Sequence, residues 1–262
     1  MRELYDRAML HARLFGFDLE RTARALQGVP AYLRDLQKLR AGAGEGAFPI
    51  RHLYPCLGDR YESAGTVSEH YFYQDWWVAS RIFARAPRRH VDVGSRIDGF
   101  VAQVAAFREI EVFDLRPLSL DVPTIRFRQV DLMRRHPELD GCCDSLSSLH
   151  AIEHFGLGRY GDAIDPRGHE RGLDGLHHLL EPDGRLYLSV PIGEQRIEYN
   201  AHRVFSLGTL LALFAGRFEV EGFSYVDDAN RFHPEVALEP GEVARDFGCH
   251  YGCGIFELRK QR

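Results

Sequence analysis

The run His90-Val91-Asp92-Val93-Gly94-Ser95-Arg96-Ile97-Asp98-Gly99 decides the fold. A short strand-forming stretch ends in a glycine, and an apolar, helix-forming segment, Phe100–Phe107, follows. Glycine at such a turn lets the backbone pass close under a ligand, and the helix start beyond it offers unpaired N–H groups. Taken alone the turn also serves purely structural ends. Working outward, β-branched and aromatic runs alternate with helical stretches from Arg89 onward. Strands are expected near His90–Val93, Glu109–Asp114, Thr124–Gln129, Cys143–Leu149, Arg185–Val190, Phe218–Val226 and Cys253–Arg259, with a helix at Arg171–Leu180 closed by Glu181-Pro182-Asp183-Gly184. That texture predicts an α/β domain with a doubly wound, mostly parallel, seven-stranded sheet covered by helices on both faces. The last two strands leave no room for a helical crossover unless Asp227–Gly248 supplies one, so the last strand is expected to pair antiparallel.

Upstream the pattern differs. Leu10, Leu14 and Phe17, then Leu26, Leu33, Leu36 and Leu39, recur at helical spacing among many charges, predicting two or three amphipathic helices between Arg2 and Arg40. Three glycines within Ala41–Ala47 break any helix, and a capped helix is expected to start at Ser68-Glu69 and stop at Pro87. The division expected is therefore an N-terminal helical extension and linker over 1–60, reading as a lid or a homo-oligomer contact, and an α/β domain over 61–262.

The chain of 262 residues is 45% hydrophobic and 27% charged, a composition that suits a compact domain and excludes fibrous and disordered classes. Its net charge of −5 and the lack of a basic stripe argue against a nucleic-acid partner. Acids among the first residues and no apolar run of membrane length argue against a secretory signal or a membrane span. Five cysteines at irregular spacing read as reduced thiols, which places the protein in the cytoplasm.

Ligands of an open α/β sheet bind beyond the carboxyl ends of its strands, where strand order reverses. The second strand ends in Phe113-Asp114-Leu115, placing a carboxylate 20 residues after Gly94, where an acid can accept both hydroxyls of a ribose. A third end reads Val130-Asp131-Leu132, where a carboxylate can take an adenine amine. From Ser68 onward the chain resembles the Rossmann-like class I S-adenosylmethionine-dependent methyltransferases. Val91-Asp92-Val93-Gly94-Ser95 is similar to their first glycine motif, Asp114 to their ribose acid and Asp131 to their adenine-side acid. Ser147–His154 is similar to their fourth-strand segment, and Leu179–Pro191 to their fifth-strand turn and strand. The stretches Glu153–Asp162, Val190–Gly193 and Asn200–Arg203 resemble a smaller methyltransferase-like family of unknown function.

The resemblance implies S-adenosyl-L-methionine as cofactor, bound by Asp92, Gly94, Ser95, Arg96, Asp114, Leu115, Asp131, Leu132 and His150. It implies methyl transfer to a small polar acceptor such as a sugar or glycan precursor. His154 and His202 are the candidate bases, because an imidazole titrates near working pH. Tyr160, Asp162 and Asn200 are candidates for the acceptor pocket. One departure stands out. Where the family places further glycines, this chain has Arg96, Ile97 and Asp98. Either the methionine end of the cofactor meets Arg96 or Asp98, or binding is weakened, leaving a degenerate fold that acts as a partner protein.

Other patterns compete. His150-Ala151-Ile152-Glu153-His154 fits the H-x-x-E-H arrangement of a zinc hydrolase, though it follows directly on a strand. Gly156–Gly161 fits G-x-G-x-x-G without a preceding strand, and reads as a loop. Cys249 and Cys253 form a C-x3-C pair too sparse to assign a metal, so no metal ligand is expected.

Overall fold

The computed structural model describes residues 16–42, 48, 50–61 and 69–261. The expected helix over the first 15 residues, the glycine stretch 43–47 and the Ser68 cap lie outside them. The chain forms two compact units, Met1–Val67 and Ser68–Arg262. In the first, α1 (Leu19–Ala41) is a single helix of 23 residues. The Asp18 carboxylate accepts the Arg21 N–H at its start, and Lys38 and Arg40 sit in its last turn, where a cation is favoured by the helix dipole. No helix among the described residues is long and apolar enough to cross a membrane.

The second unit opens with α2 (Glu69–Arg85) and then builds one sheet. Its strands are β1 (His90–Val93), β2 (Ile110–Asp114), β3 (Ile125–Gln129), β4 (Cys143–Leu149) and β5 (Leu180–Ile192), followed by β8 (Phe218–Val226), β9 (Phe232–His233) and β10 (Gly252–Lys260). Two short strands, β6 (Arg196–Glu198) and β7 (His202–Val204), pair separately as an antiparallel hairpin. Helices α3 (Ala102–Ala105), α4 (Gly168–Leu179), α5 (Leu207–Phe214) and α6 (Pro240–Val243) lie between them. The strand order is β3-β2-β1-β4-β5-β10-β8-β9. The five strands from β3 to β5 are parallel, and β10 runs antiparallel between β5 and β8.

The sheet has eight strands rather than the seven expected. The addition is β9, two residues paired with Tyr225 and Val226 at the edge, too short to carry an alternation pattern. The fifth strand also starts earlier than Arg185. Leu180 already pairs with Cys143, and pairing resumes at Arg185 opposite Ser145, so Glu181-Pro182-Asp183-Gly184 is a bulge inside β5 rather than a turn before it. Asp183 takes a positive φ of 64° there.

Both faces of the sheet are covered. On one, Val91, Val93, Leu146, Leu186, Leu188 and Val190 pack with Leu173 and Leu176 of α4 and Leu210 and Phe214 of α5. On the other, Val112, Leu149 and Ile255 pack with Val78 and Ile82 of α2, Phe100 and Val104. Residues two apart on β1 face one layer and their neighbours the other, as a strand's period requires. His90 and Asp92 are the buried polar residues of that strand.

Candidate functional site

The turn after β1 is held from below. Asp92 is fully buried, and its carboxylate accepts the Ser95 N–H at 3.0 Å, the Ser95 hydroxyl at 2.6 Å and the Ser147 hydroxyl at 2.6 Å. Burial pushes its pKa up to about 6. The Ser95 hydroxyl also accepts the Leu149 N–H, so loop and β4 are stitched together. Gly94 has φ of +73°, a conformation open to glycine at little cost, and a Cβ added there would press on Ala151. Asp92 therefore positions the turn. It does not line the cavity, and this corrects the expectation that it binds a cofactor directly.

Beyond the carboxyl ends of β1 to β4 lies a cavity of about 720 Å³, within the range of small-molecule sites. Gly94, Ser95, Arg96, Asp98, Asp114, His150, Glu153, His154, Tyr160, His202 and Tyr251 are among its walls. A narrower recess of about 70 Å³ meets it at Gly94, Asp114, His150 and Tyr160, and is closed by Leu115, Val130, Asp131, Leu132, Ala151 and Phe155. Of the residues singled out from sequence, all but Asp92 and Asn200 reach one of the two.

Asp114 ends β2 with its carboxylate toward both spaces. Arg116 folds back on it, donating from its backbone N–H at 2.8 Å and from its guanidinium at 3.1 and 2.9 Å. The same guanidinium lies over the Tyr160 ring, 4.4 Å from its centroid. Sequence reasoning missed Arg116. An arginine two residues after a carboxylate at a strand end was its only signal. Asp131 accepts the Met133 N–H at 3.0 Å and pairs with Arg134 at 3.2 Å. In the altered loop, Arg96 and Asp98 pair at 3.0 Å, with Arg96 also 5.0 Å from the centroid of the Tyr71 ring. The extra charges neutralise each other at the cavity edge.

His150 follows β4 with φ of 50°, and its Nδ1 bonds Glu153 Oε1 at 2.8 Å. Burial works against the charged imidazole, but Cys253 and the Glu153 carboxylate outweigh it and raise the His150 pKa. Burial likewise opposes the Glu153 charge, and His150 holds its carboxyl below the usual range. Next, Ile152–His154 form one 3₁₀ turn, not an α-helix, so the two histidines of H-x-x-E-H do not share a helix face. His154 Nδ1 is instead 2.6 Å from the Ala201 carbonyl. A carbonyl only accepts, so Nδ1 carries the proton and Nε2 is left as a free base, 3.8 Å from Glu153. The zinc-hydrolase reading thus loses its geometry. Burial lowers the pKa of both His154 and His202. Their rings lie 6.4 Å apart, and His202 Nε2 is enclosed without a partner.

The G-x-G-x-x-G stretch is a loop, as expected. Asp162 Oδ2 accepts the Gly156 and Gly158 N–H groups at 2.7 and 3.2 Å, which holds Tyr160 at the cavity mouth. Asp162 lines the recess as that brace.

The position of the cavity follows from topology, since strand order reverses between β1 and β4, beside Gly94. Comparison with solved structures bears on the fold. The cyclase SpnF superposes with a TM-score of 0.52 at 16% identity, over 80% of this chain and 84% of its own. The two share a fold, a Rossmann-like, mostly parallel α/β sheet. A 1,6-didemethyltoxoflavin-N1-methyltransferase from Burkholderia thailandensis, solved with S-adenosylhomocysteine, is similar at a TM-score of 0.49 and 16% identity, over 72% of this chain and 79% of its own. A TehB-like SAM-dependent methyltransferase from Corynebacterium glutamicum is similar at 0.47 and 16%, over 89% and 97%. A family profile described as "Caenorhabditis protein of unknown function, DUF268" matches residues 122–234. No curated protein sequence matches the chain. Within the Rossmann-like fold of this protein, carboxylates, arginines, histidines and tyrosines are among the residues facing the switch point, with the apolar recess to one side.

Proposed function

We propose that the protein transfers a methyl group from S-adenosylmethionine to a small polar acceptor. The observation that carries this reading is the pairing of Asp114 and Asp131, at the ends of adjacent strands, on either side of a recess walled by Leu115, Val130 and Leu132 and floored by Gly94. A carboxylate to accept from ribose hydroxyls, a second to accept from an exocyclic amine and an apolar slot form the acceptor set that an adenosine needs. The cofactor supplies an electrophilic methyl group on a sulfonium. This chain's residues then do the rest: Asp114 and Asp131 hold the nucleoside, with Arg116 able to share Asp114 because its side chain is about half exposed. Gly94 and Ser95 border the ligand, and Arg96 faces a carboxylate at the far end.

Methyl transfer is an in-line displacement that depends chiefly on positioning, with a base only where the acceptor must lose a proton. His154 suits that role. Ala201 fixes its tautomer, Glu153 Oε1 lies 3.8 Å from Nε2, and burial lowers its pKa, which keeps Nε2 unprotonated at neutral pH. His202 is the second base or a hydrogen-bonding partner for the acceptor. Tyr71, Tyr160 and Tyr251 line the cavity together with Arg159, a wall that fits a sugar or glycan precursor.

The test is calorimetric titration with S-adenosylmethionine and S-adenosylhomocysteine, on the wild type and on Asp114→Ala. Micromolar binding by the wild type, weakened at least about tenfold in the variant by loss of charge-assisted hydrogen bonds, is expected. No binding to the wild type sinks the reading and moves the weight to a degenerate fold.

A further inference from the structure

At the cavity wall, His150 meets two residues that the proposed reaction does not use. His70 in the first turn of α2, His150 at the end of β4 and Cys253 in β10 bring one ring nitrogen each and a sulfur within 4.8 Å of one another. Cys253 is fully buried, His70 is 9% exposed and the His150 side chain 5%. The two imidazoles are stacked, with centroids 5.6 Å apart and planes 7° from parallel.

His150 supplies the deciding detail. Its Nδ1 is engaged by Glu153, while its enclosed Nε2 finds no nitrogen or oxygen partner and is left to the Cys253 thiol. Buried polar atoms in native proteins nearly always find a partner, and an orphan calls for an explanation. An imidazole oriented through one nitrogen by a carboxylate, with the other nitrogen bare, is the arrangement of a metal-binding histidine. Two imidazoles and a thiolate are soft donors that favour zinc over magnesium or calcium. Ligand atoms of tetrahedral zinc stand roughly 3.3–3.8 Å apart for bonds of about 2.0–2.3 Å, so the three groups need to close by only about an ångström.

We propose that His70, His150 and Cys253 form a zinc site that clamps the start of α2 to the ends of β4 and β10 and fixes the His150 ring against the cavity. Glu153 is the positioning residue. This use of Glu153 differs from the hydrolase reading of the same segment, in which it would be a base beside a metal held by His150 and His154. The proposal rests on His70 and Cys253, which line neither the recess nor the cavity, so it is tested apart from the adenosyl ligand, and His150 alone is shared with the recess.

The experiment uses the full chain, stripped with a chelator and titrated with zinc and with cobalt. One equivalent of cobalt is expected to produce a thiolate-to-cobalt charge-transfer band in the near ultraviolet, displaced by zinc. Zinc is expected to raise the thermal midpoint of the wild type, as any ligand of the folded state does. Cys253→Ser is expected to abolish the band, His70→Asn to weaken zinc binding at least about 100-fold, and Glu153→Gln to weaken it about tenfold while retaining the band. Circular dichroism checks that each variant is folded, and His70→Asn, at the start of a helix, carries the test if Cys253→Ser does not fold. Absence of saturable zinc or cobalt binding by the wild type overturns the site, as does a cobalt spectrum that Cys253→Ser leaves unchanged or zinc affinity that His70→Asn leaves unchanged.

Discussion

His90 is an imidazole with nowhere to put a second proton. Its Nδ1 lies 2.8 Å from the Ser145 hydroxyl and its Nε2 3.2 Å from that of Ser147, which itself donates to Asp92. Ser147 therefore accepts from Nε2–H, and Ser145 donates to Nδ1, a chain that uses the neutral ring fully. Burial lowers its pKa to about 3. In the unfolded chain the ring titrates near 6.5. Between those values the unfolded state binds the extra proton and the folded state does not, so His90 makes stability fall as pH drops from about 6.5 toward 3, by up to about 1.4 kcal/mol per unit. Asp92 runs the opposite way, its raised pKa favouring the folded state as pH falls below about 6. Thermal melts at pH 7.5 and 5 are expected to show a smaller loss in His90→Gln than in the wild type. An equal loss in both would place the proton uptake elsewhere. Residue-level reading of the sequence picked out Asp114 and Asp131 because strand ends are legible from pattern, and the structure brings them with His154 and His202 to the two adjoining spaces. That reading misplaced Asp92 because the same pattern does not tell whether a strand-end side chain turns toward ligand or into the chain's own loop. Arg116 escaped for a related reason, since its fold-back onto Asp114 depends on Tyr160, more than forty residues away.

At the scale of elements, α4 meets the turn after β4 without side chains between them. A Cβ on Gly172 would lie inside contact distance of the Phe155 ring, and one on Gly168 would press on the Phe155 carbonyl. Alanine in place of a mid-helix glycine ordinarily stabilises by up to about 1 kcal/mol. Here overpacking of about 1–3 kcal/mol prevails, because the ring is pinned against the recess. Gly172→Ala is expected to lower the denaturation midpoint and, by displacing Phe155, to weaken adenosyl-ligand binding several-fold; a more stable variant with unchanged binding would refute the packing argument. Elements with a clear period, such as β1, β4 and β8, could be bounded from sequence to the residue. The bulge in β5, the strand β9 and the hairpin of β6 and β7 could not, because each is set by what lies alongside rather than by its own alternation.

For the whole molecule, the decisive fact is the place of β10, which pairs with β5 over eight residues from Gly252 to Arg259 and with β8 on its other side. Its burial is complete from Gly252 to Leu258. A chain ended after Gly248 is expected to leave β5 and β8 with open apolar edges and to elute as aggregate in size-exclusion chromatography, where the wild type elutes as a compact species. Recovery of a compact, folded truncation would show that the two halves close without this strand. The lack of a crossover between the last two strands made the antiparallel pairing legible in sequence, but not that β10 would insert between β5 and β8. That insertion bears on biosynthesis. The ribosome delivers β1 through β5 as one contiguous run, and with it every wall of the recess beside Gly94, before any of the strands that seal the far edge. The nascent chain can thus assemble that recess early, yet must shelter the flank of β5 until β10 emerges, so chaperone demand should concentrate in that interval.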